Sequence, residues 1–320
     1  MLRRLLPLAV AGLVAAPVAL ADGGSAPPAA DGVLGPGGKL RYITVRLASG
    51  DTMVQTIRPG TGSLERAREI YGEWQIPGVA YDGTPGGLSA DGSMLVLMAP
   101  PKTPFRTQSV FQVVRARDLK PLRRIVLKGD FSFDALSPDG SKLYLIQHVS
   151  RSNLSHYVVR AYSLAEHRLL PGLIADRTQR GWVMAGWPIT RATSADGRWV
   201  YTFYVRPGGY SFVHALDAVR GVAHCVGIPW HGKRDALWQI RLSLRDGGRT
   251  LGLGWPNGRK YLAITRGTWR ISHPGAAAHA GSGSGFSWWV LGLAGGGALL
   301  LVLLLLRRTS YGLRARAATN

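Results

Sequence analysis

The chain has 320 residues, with 39 Lys and Arg against 18 Asp and Glu, a formal net charge of +21. Its single cysteine, Cys225, excludes an intramolecular disulfide, and the length is ample for one large domain with its own core. Six of the basic residues lie near the ends (Arg3, Arg4, Arg307, Arg308, Arg314, Arg316) in segments without Asp or Glu, leaving 33 basic against 18 acidic residues between them, a formal +15.

Residues 1–21 join a basic start to an apolar stretch from Leu5 to Leu20 and an Ala19-Leu20-Ala21 cleavage pattern, which predicts a secretory signal peptide and a mature chain starting at Asp22. The Arg3-Arg4 pair leaves the general secretory and twin-arginine routes both open. Residues 22–39, rich in Ala, Pro and Gly, predict a flexible leader. The folded domain is expected over 40–273. It opens on a hairpin, Tyr42 to Leu47 with Thr52 to Ile57, followed by a short helix over Ser63 to Tyr71, where Leu64, Ala67, Ile70 and Tyr71 share one helical face.

A short phrase then recurs four times: Ser89-Ala90-Asp91-Gly92, Ser137-Pro138-Asp139-Gly140, Ser194-Ala195-Asp196-Gly197 and, with one residue inserted, Ser243-Leu244-Arg245-Asp246-Gly247. The Asp residues are 48, 57 and 50 positions apart, a period expected of propeller blades. An Asp-Gly pair reaches positive φ at little steric cost, so each phrase predicts a tight turn between antiparallel strands. Strand-like runs follow each turn: Met94 to Met98, Leu143 to Ile146, Trp199 to Phe203 and Thr250 to Leu253. Second hairpins complete the units, as with Val110 to Val114 and Leu122 to Leu127, and each unit then holds four strand candidates.

The phrase Leu136 to Leu145, with its Ser-Pro-Asp-Gly turn, resembles the strand pair of TolB-like and YVTN-type propellers, relatives of the WD-repeat design. The resemblance covers about 75–272, is most specific at Ser137–Leu145 and weakest at Ser243–Leu253. It implies an all-β propeller of five blades, with the 41–57 hairpin helping to close the ring; four blades with an accessory hairpin, or pairing between two chains, are alternatives. It implies a fold more than a function, because that fold hosts scaffolds, assembly factors and some lactonases.

After the repeats, 274–287 is a Gly/Ser/Ala linker and 288–306 an uncharged run opened by Trp288 and Trp289. Nineteen residues at about 1.5 Å each span about 28 Å, which predicts one transmembrane helix. The basic tail 307–320 predicts that the C-terminus stays inside and the domain outside. The charge then favours an envelope protein or an anionic cell-surface polymer as partner; nucleic acid is not an expected one, and the sequence sets no oligomeric state.

Catalytic signatures are missing from the sequence: there is no HExxH, GxSxG, P-loop or dinucleotide fingerprint. Cys225, between Val222, Ala223 and Val226, reads as a strand residue more readily than as a nucleophile. Asp91, Asp139, Asp196 and Asp246 read as turn residues. No cofactor or metal is expected. The residues expected to meet a ligand are Trp182, Trp187, Trp230, Lys233 and Arg234, in loops between units where aromatic faces and cations stand together. The leading expectation is a non-enzymatic binding or scaffolding module; a propeller hydrolase or lactonase, with carboxylates facing the channel, is the alternative.

Overall fold

A computed structural model of the chain describes residues 26–273 apart from 27, 30, 177, 179–183 and 207. The expected signal peptide, linker, membrane run and tail, and Trp182, lie outside the described residues. Among the described residues no helix is long and apolar enough to cross a membrane.

The described residues form five antiparallel sheets in a propeller-type arrangement. Blade 1 holds β1 (Val33–Leu34), β2 (Arg41–Arg46), β3 (Thr52–Ile57) and β4 (Leu64–Ile70); blade 2 holds β5 (Met94–Met98), β6 (Gln108–Arg115) and β7 (Lys120–Lys128). Blade 3 holds β8 (Asp130–Leu136), β9 (Lys142–His148), β10 (His156–Ser163) and β11 (Arg168–Leu169), with β12 (Met184–Ala185) pairing to β10. Blade 4 holds β13 (Trp187–Thr193), β14 (Trp199–Val205), β15 (Ser211–Asp217) and β16 (Val222–Ile228). Blade 5 holds β17 (Arg241–Arg245), β18 (Thr250–Gly254), β19 (Lys260–Thr265) and β20 (Ile271–Ser272). In each blade, strands consecutive in sequence are neighbours in the sheet, except that β12 pairs with β10 and not with β11. Blade 2 has its fourth position filled by irregular chain, where Val96 N–H donates to Gly87 O (2.7 Å) and Ser89 N–H to Met94 O (2.9 Å).

Packing explains which strands are apolar throughout and which alternate. In β5, Leu95 and Leu97 face the core shared with blade 1, while Val96 and Met98 face the core shared with blade 3. In β14, Tyr201 and Phe203 face blade 5, and Val200 and Tyr204 face blade 3. A strand covered on both sides has no polar face to present, so it reads as a continuous apolar run. Among the described residues the end blades are covered on one side. In blade 1, Tyr42 and Val54 are buried against blade 2 whereas Val45, on the other face, is 42% exposed. In blade 5, Leu251, Leu253, Leu262 and Ile264 pack on blade 4, with Ser243, Arg245 and Thr265 exposed. Among the described residues no core cluster joins blade 5 to blade 1.

Two local expectations change. The segment expected as a helix over Ser63–Tyr71 is strand β4, paired with β3 from Leu64↔Ile57 to Ile70↔Thr52. Its Leu, Glu, Arg and Ala favour helix, but strand pairing supplies partners for its backbone and buries Ile70, which an isolated nine-residue helix cannot match. The blade structure also reaches into the segment assigned to the leader: Val33 and Leu34 pair with Tyr42 and Arg41, and Ala26 and Ala29 are buried.

The middle of the array is occupied by chain. Between β4 and β5 the backbone leaves blade 1 and crosses over, so that Val79 packs in the core with Phe133 of β8. Tyr81 N–H then donates to Pro188 O (2.8 Å) and Asp82 N–H to Ile189 O (3.0 Å) on β13.

Candidate functional site

The repeated turns have one construction in blades 2, 3 and 4. In blade 3 Ser137 Oγ donates to Asp139 Oδ1 (2.5 Å) and accepts Lys142 N–H (2.9 Å), while Asp139 Oδ1 also accepts Ser141 N–H (3.0 Å). Ser89/Asp91 and Ser194/Asp196 repeat this pattern. The serine hydroxyls hold Asp139 and Asp196 below the usual carboxylate range. Gly92, Gly140 and Gly197 have φ of 71°, 67° and 69°. These carboxylates are consumed in closing their own turns, which is a structural use. The fourth unit differs. Ser243 is a ladder residue paired with Gly252, Leu244 stands where the turn serine would be, and both Asp246 (φ 52°) and Gly247 (φ 63°) take left-handed backbone.

The proposed ligand loops resolve into two aromatic groups. Trp187, at the start of β13, meets Tyr81 edge-on at 6.2 Å, and Tyr81 meets Trp238 at 5.7 Å. Trp230 belongs to the other group: it lies 4.7 Å from Tyr261 and 6.2 Å from Trp255. The structure therefore separates Trp187 from Trp230, and links their groups through the connection from β16 to β17. That connection is shaped by Trp230 Nε1 donating to Lys233 O (3.1 Å), then by a short 3-10 helix, Arg234–Gln239, whose Leu237 enters the core and whose Trp238 is left 43% exposed. Tyr261 Oη donates to Pro229 O, pinning the loop's first residue to blade 5.

Cations surround these rings. Arg259 lies 3.6 Å from the centroid of the Trp255 ring, and Arg234 Nη2 donates to Gly209 O (2.9 Å), leaving Lys233 exposed beside it. Arg241 Nε sits 3.9 Å from Asp82 Oδ2. Trp255, Tyr261, Arg259, Tyr81 and Trp238 were not expected in the site. The Trp255-Pro256-Asn257-Gly258 turn signal sets an aromatic at a loop mouth, but only the approach of blade 5 to the 229–240 connection brings it to Trp230.

Among the described residues the buried acids pair with arginine or histidine, and the buried Cys225–His214 contact is neutral. Cys225 Sγ lies 3.5 Å from His214 Nδ1. A nucleophilic dyad needs thiolate beside imidazolium. Burial instead pushes the Cys225 thiol up to about 12 and the His214 imidazole down to about 4, so both stay uncharged at neutral pH. Asp176 is engaged by Cys225 N–H (2.8 Å), by Thr178 and by His224 Nδ1 (3.0 Å), tying the chain before β12 to β16. On the inner strand β8, Asp130 pairs with Arg106 (2.6 Å) and Asp134 with Arg191. Among the described residues no group of three or more His, Cys, Asp or Glu could hold a metal ion.

No protein-family model and no curated protein matches the chain. Solved structures with similar folds are β-propeller proteins and enzymes. TolB from Acinetobacter baumannii is 13% identical with a TM-score of 0.43, over 76% of this chain and 53% of that one. The Myceliophteria thermophila Cps50 (Swd1) beta-propeller domain is 12% identical with a TM-score of 0.44, over 81% and 68%. An oligogalacturonate lyase in complex with manganese is 11% identical with a TM-score of 0.47, over 76% and 63%. Against Kuenenia stuttgartiensis hydrazine synthase, too, the chain spans 63% of the other's length.

Proposed function

We propose that this protein is a non-enzymatic binding or scaffolding module of the cell envelope, held at the membrane by the run 288–306, with an envelope protein or anionic cell-surface polymer as its partner. The observation that carries the reading is the surface around Trp230. Trp255, Tyr261 and Trp230 pack against one another at the edge of the core, with Arg259, Lys233 and Arg234 around them. Rigid aromatics flanked by cations are the composition that dominates binding hot spots, and their preorganisation lowers the entropy lost on association. The pairing of Asp130 and Asp134 with arginines supports the same reading, since those inner-strand carboxylates are engaged in buried ion pairs.

The test is binding of the full chain to envelope extract at low and high salt. Contacts made by exposed charge are screened beyond about 8 Å at physiological ionic strength, whereas aromatic burial persists. Trp230→Ala should lose the salt-resistant part, by about 2 kcal/mol or about thirtyfold in affinity. Lys233→Ala/Arg234→Ala should weaken the salt-sensitive part. Wild-type binding that disappears at high salt, with variants indistinguishable from it throughout, would reduce the surface to compositional stickiness and refute the proposal.

A further inference from the structure

A basic concavity lies between blades 1 and 2, at the loop joining β5 to β6. Its volume is about 400 Å³, within the range of small-ligand sites. The floor is apolar, formed by Trp74, Pro100 and Val110, and the rim carries Lys102, Arg124 and Gln108. The floor is fixed in place: Trp74 N–H donates to Thr52 Oγ1 (2.8 Å) and its Nε1 to Tyr71 O (2.9 Å). Arg124 is held over that indole, its Cζ 5.7 Å from the ring centroid.

Charge on this cleft is unbalanced. Among the described residues Glu73 is its one carboxylate, and it is engaged by Arg46 at 3.2 Å. Arg106 is likewise engaged, with Asp130 (2.6 Å) and Ser132 Oγ (2.9 Å). Among the described residues Lys102 and Arg124 pair with no carboxylate, and both are exposed. Two uncompensated cations on one concave rim raise the local potential, and a concave wall of protein focuses it. An arginine held on an aromatic face is also pre-oriented, so less side-chain entropy is lost when it takes up an oxyanion.

We propose that this cleft binds a monosaccharide-sized anion, a carboxylate- or phosphate-bearing ring whose charge lies between Lys102 and Arg124 and whose apolar face rests on the floor. Gln108 supplies donors and an acceptor for ring hydroxyls. The cleft is separate from the Trp230 surface and does not depend on it.

Calorimetric titration of the full chain with glucuronate, glucose 6-phosphate and glucose tests this. Saturable binding of either anionic sugar, with none for glucose, is the expected result, and the two anions separate carboxylate from phosphate recognition. Lys102→Ala/Arg124→Ala should weaken binding at least tenfold. Arg117→Ala/Lys120→Ala, which removes the same charge from exposed positions around the β6–β7 turn, should leave it within twofold. Lys102→Gln/Arg124→Gln repeats the measurement if the alanine pair lowers the Tm. The proposal is overturned by the absence of saturable binding, by glucose binding equally well, or by both charge-removing pairs weakening binding alike.

Discussion

At the scale of single residues, the turn glycines separate two costs that are usually mixed. Gly197 and Gly247 both have positive φ, at 69° and 63°. A Cβ on Gly197 would lie 2.3 Å from Ala90 Cβ, because the turns of blades 2 and 4 meet there, whereas one on Gly247 has nothing within 4 Å. Gly247→Ala should therefore cost only the backbone strain, about 1 kcal/mol, and Gly197→Ala distinctly more. Urea denaturation midpoints of the two variants check the order; equal losses would contradict the packing of the turns. Gly140→Val, with its added Cβ 3.1 Å from Met94 Cγ and a β-branched side chain at φ 67°, belongs with the costlier one. His214 makes a prediction in pH. Its folded value is depressed to about 4 from an ordinary 6.5, so the unfolded chain takes up a proton first as pH falls. The stability it supports is complete above pH 6.5 and is lost progressively down to about pH 4, by on the order of 3 kcal/mol. Burial depresses His148 too, adding in the same direction. His214→Leu should flatten the fall in unfolding free energy between pH 6.5 and 4; an unchanged slope would assign it to other groups.

At the scale of elements, the joint between blades 3 and 4 is the place where polar chemistry is most deeply committed. Arg191 on β13 donates to the Asp134 carboxylate and to the Asp134 carbonyl on β8, and Nε donates to Thr202 Oγ1 (2.9 Å) on β14. Desolvating two charges is expensive, so the pair is a device of registration more than of net stability. Arg191→Met alone leaves a buried carboxylate without its partner and should cost about 3–5 kcal/mol; adding Asp134→Leu should recover most of it. Thermal unfolding of the single and double variants decides the matter, and a double variant as unstable as the single would show that the arginine acts through packing. Strand β4 carries the complementary lesson. Its sequence is legible as an amphipathic helix, and only the free edge of β3 makes it a strand.

At the scale of the whole molecule, each blade buries at least one face against its neighbour in sequence, so the five should unfold together. Tryptophan fluorescence and far-UV circular dichroism are expected to give superimposable urea transitions, and a substantial helical signal from the domain would count against the fold. The proposed anchoring predicts that protease added to intact cells removes the domain while a tag placed after Asn320 stays protected. Loss of that tag would reverse the orientation.

The sequence by itself determined the repeat, the turn chemistry and the strands that follow each turn. Serine, aspartate and glycine at fixed spacing close a turn through bonds within five residues, and continuous apolar runs such as Met94 to Met98 are a local statement that both faces are covered. It also showed a basic chain with one cysteine and without a catalytic signature. Contacts across many residues were decided by tertiary structure alone. Trp187 joins Tyr81 and Trp238, Trp230 joins Trp255 and Tyr261, and Trp74 comes to line one cleft with Lys102 and Arg124, because these groupings depend on how separate blades and their connections approach. Nothing in the spacing of those residues encodes that approach. It is set by the packing of whole sheet faces and by the chain that crosses the middle of the array.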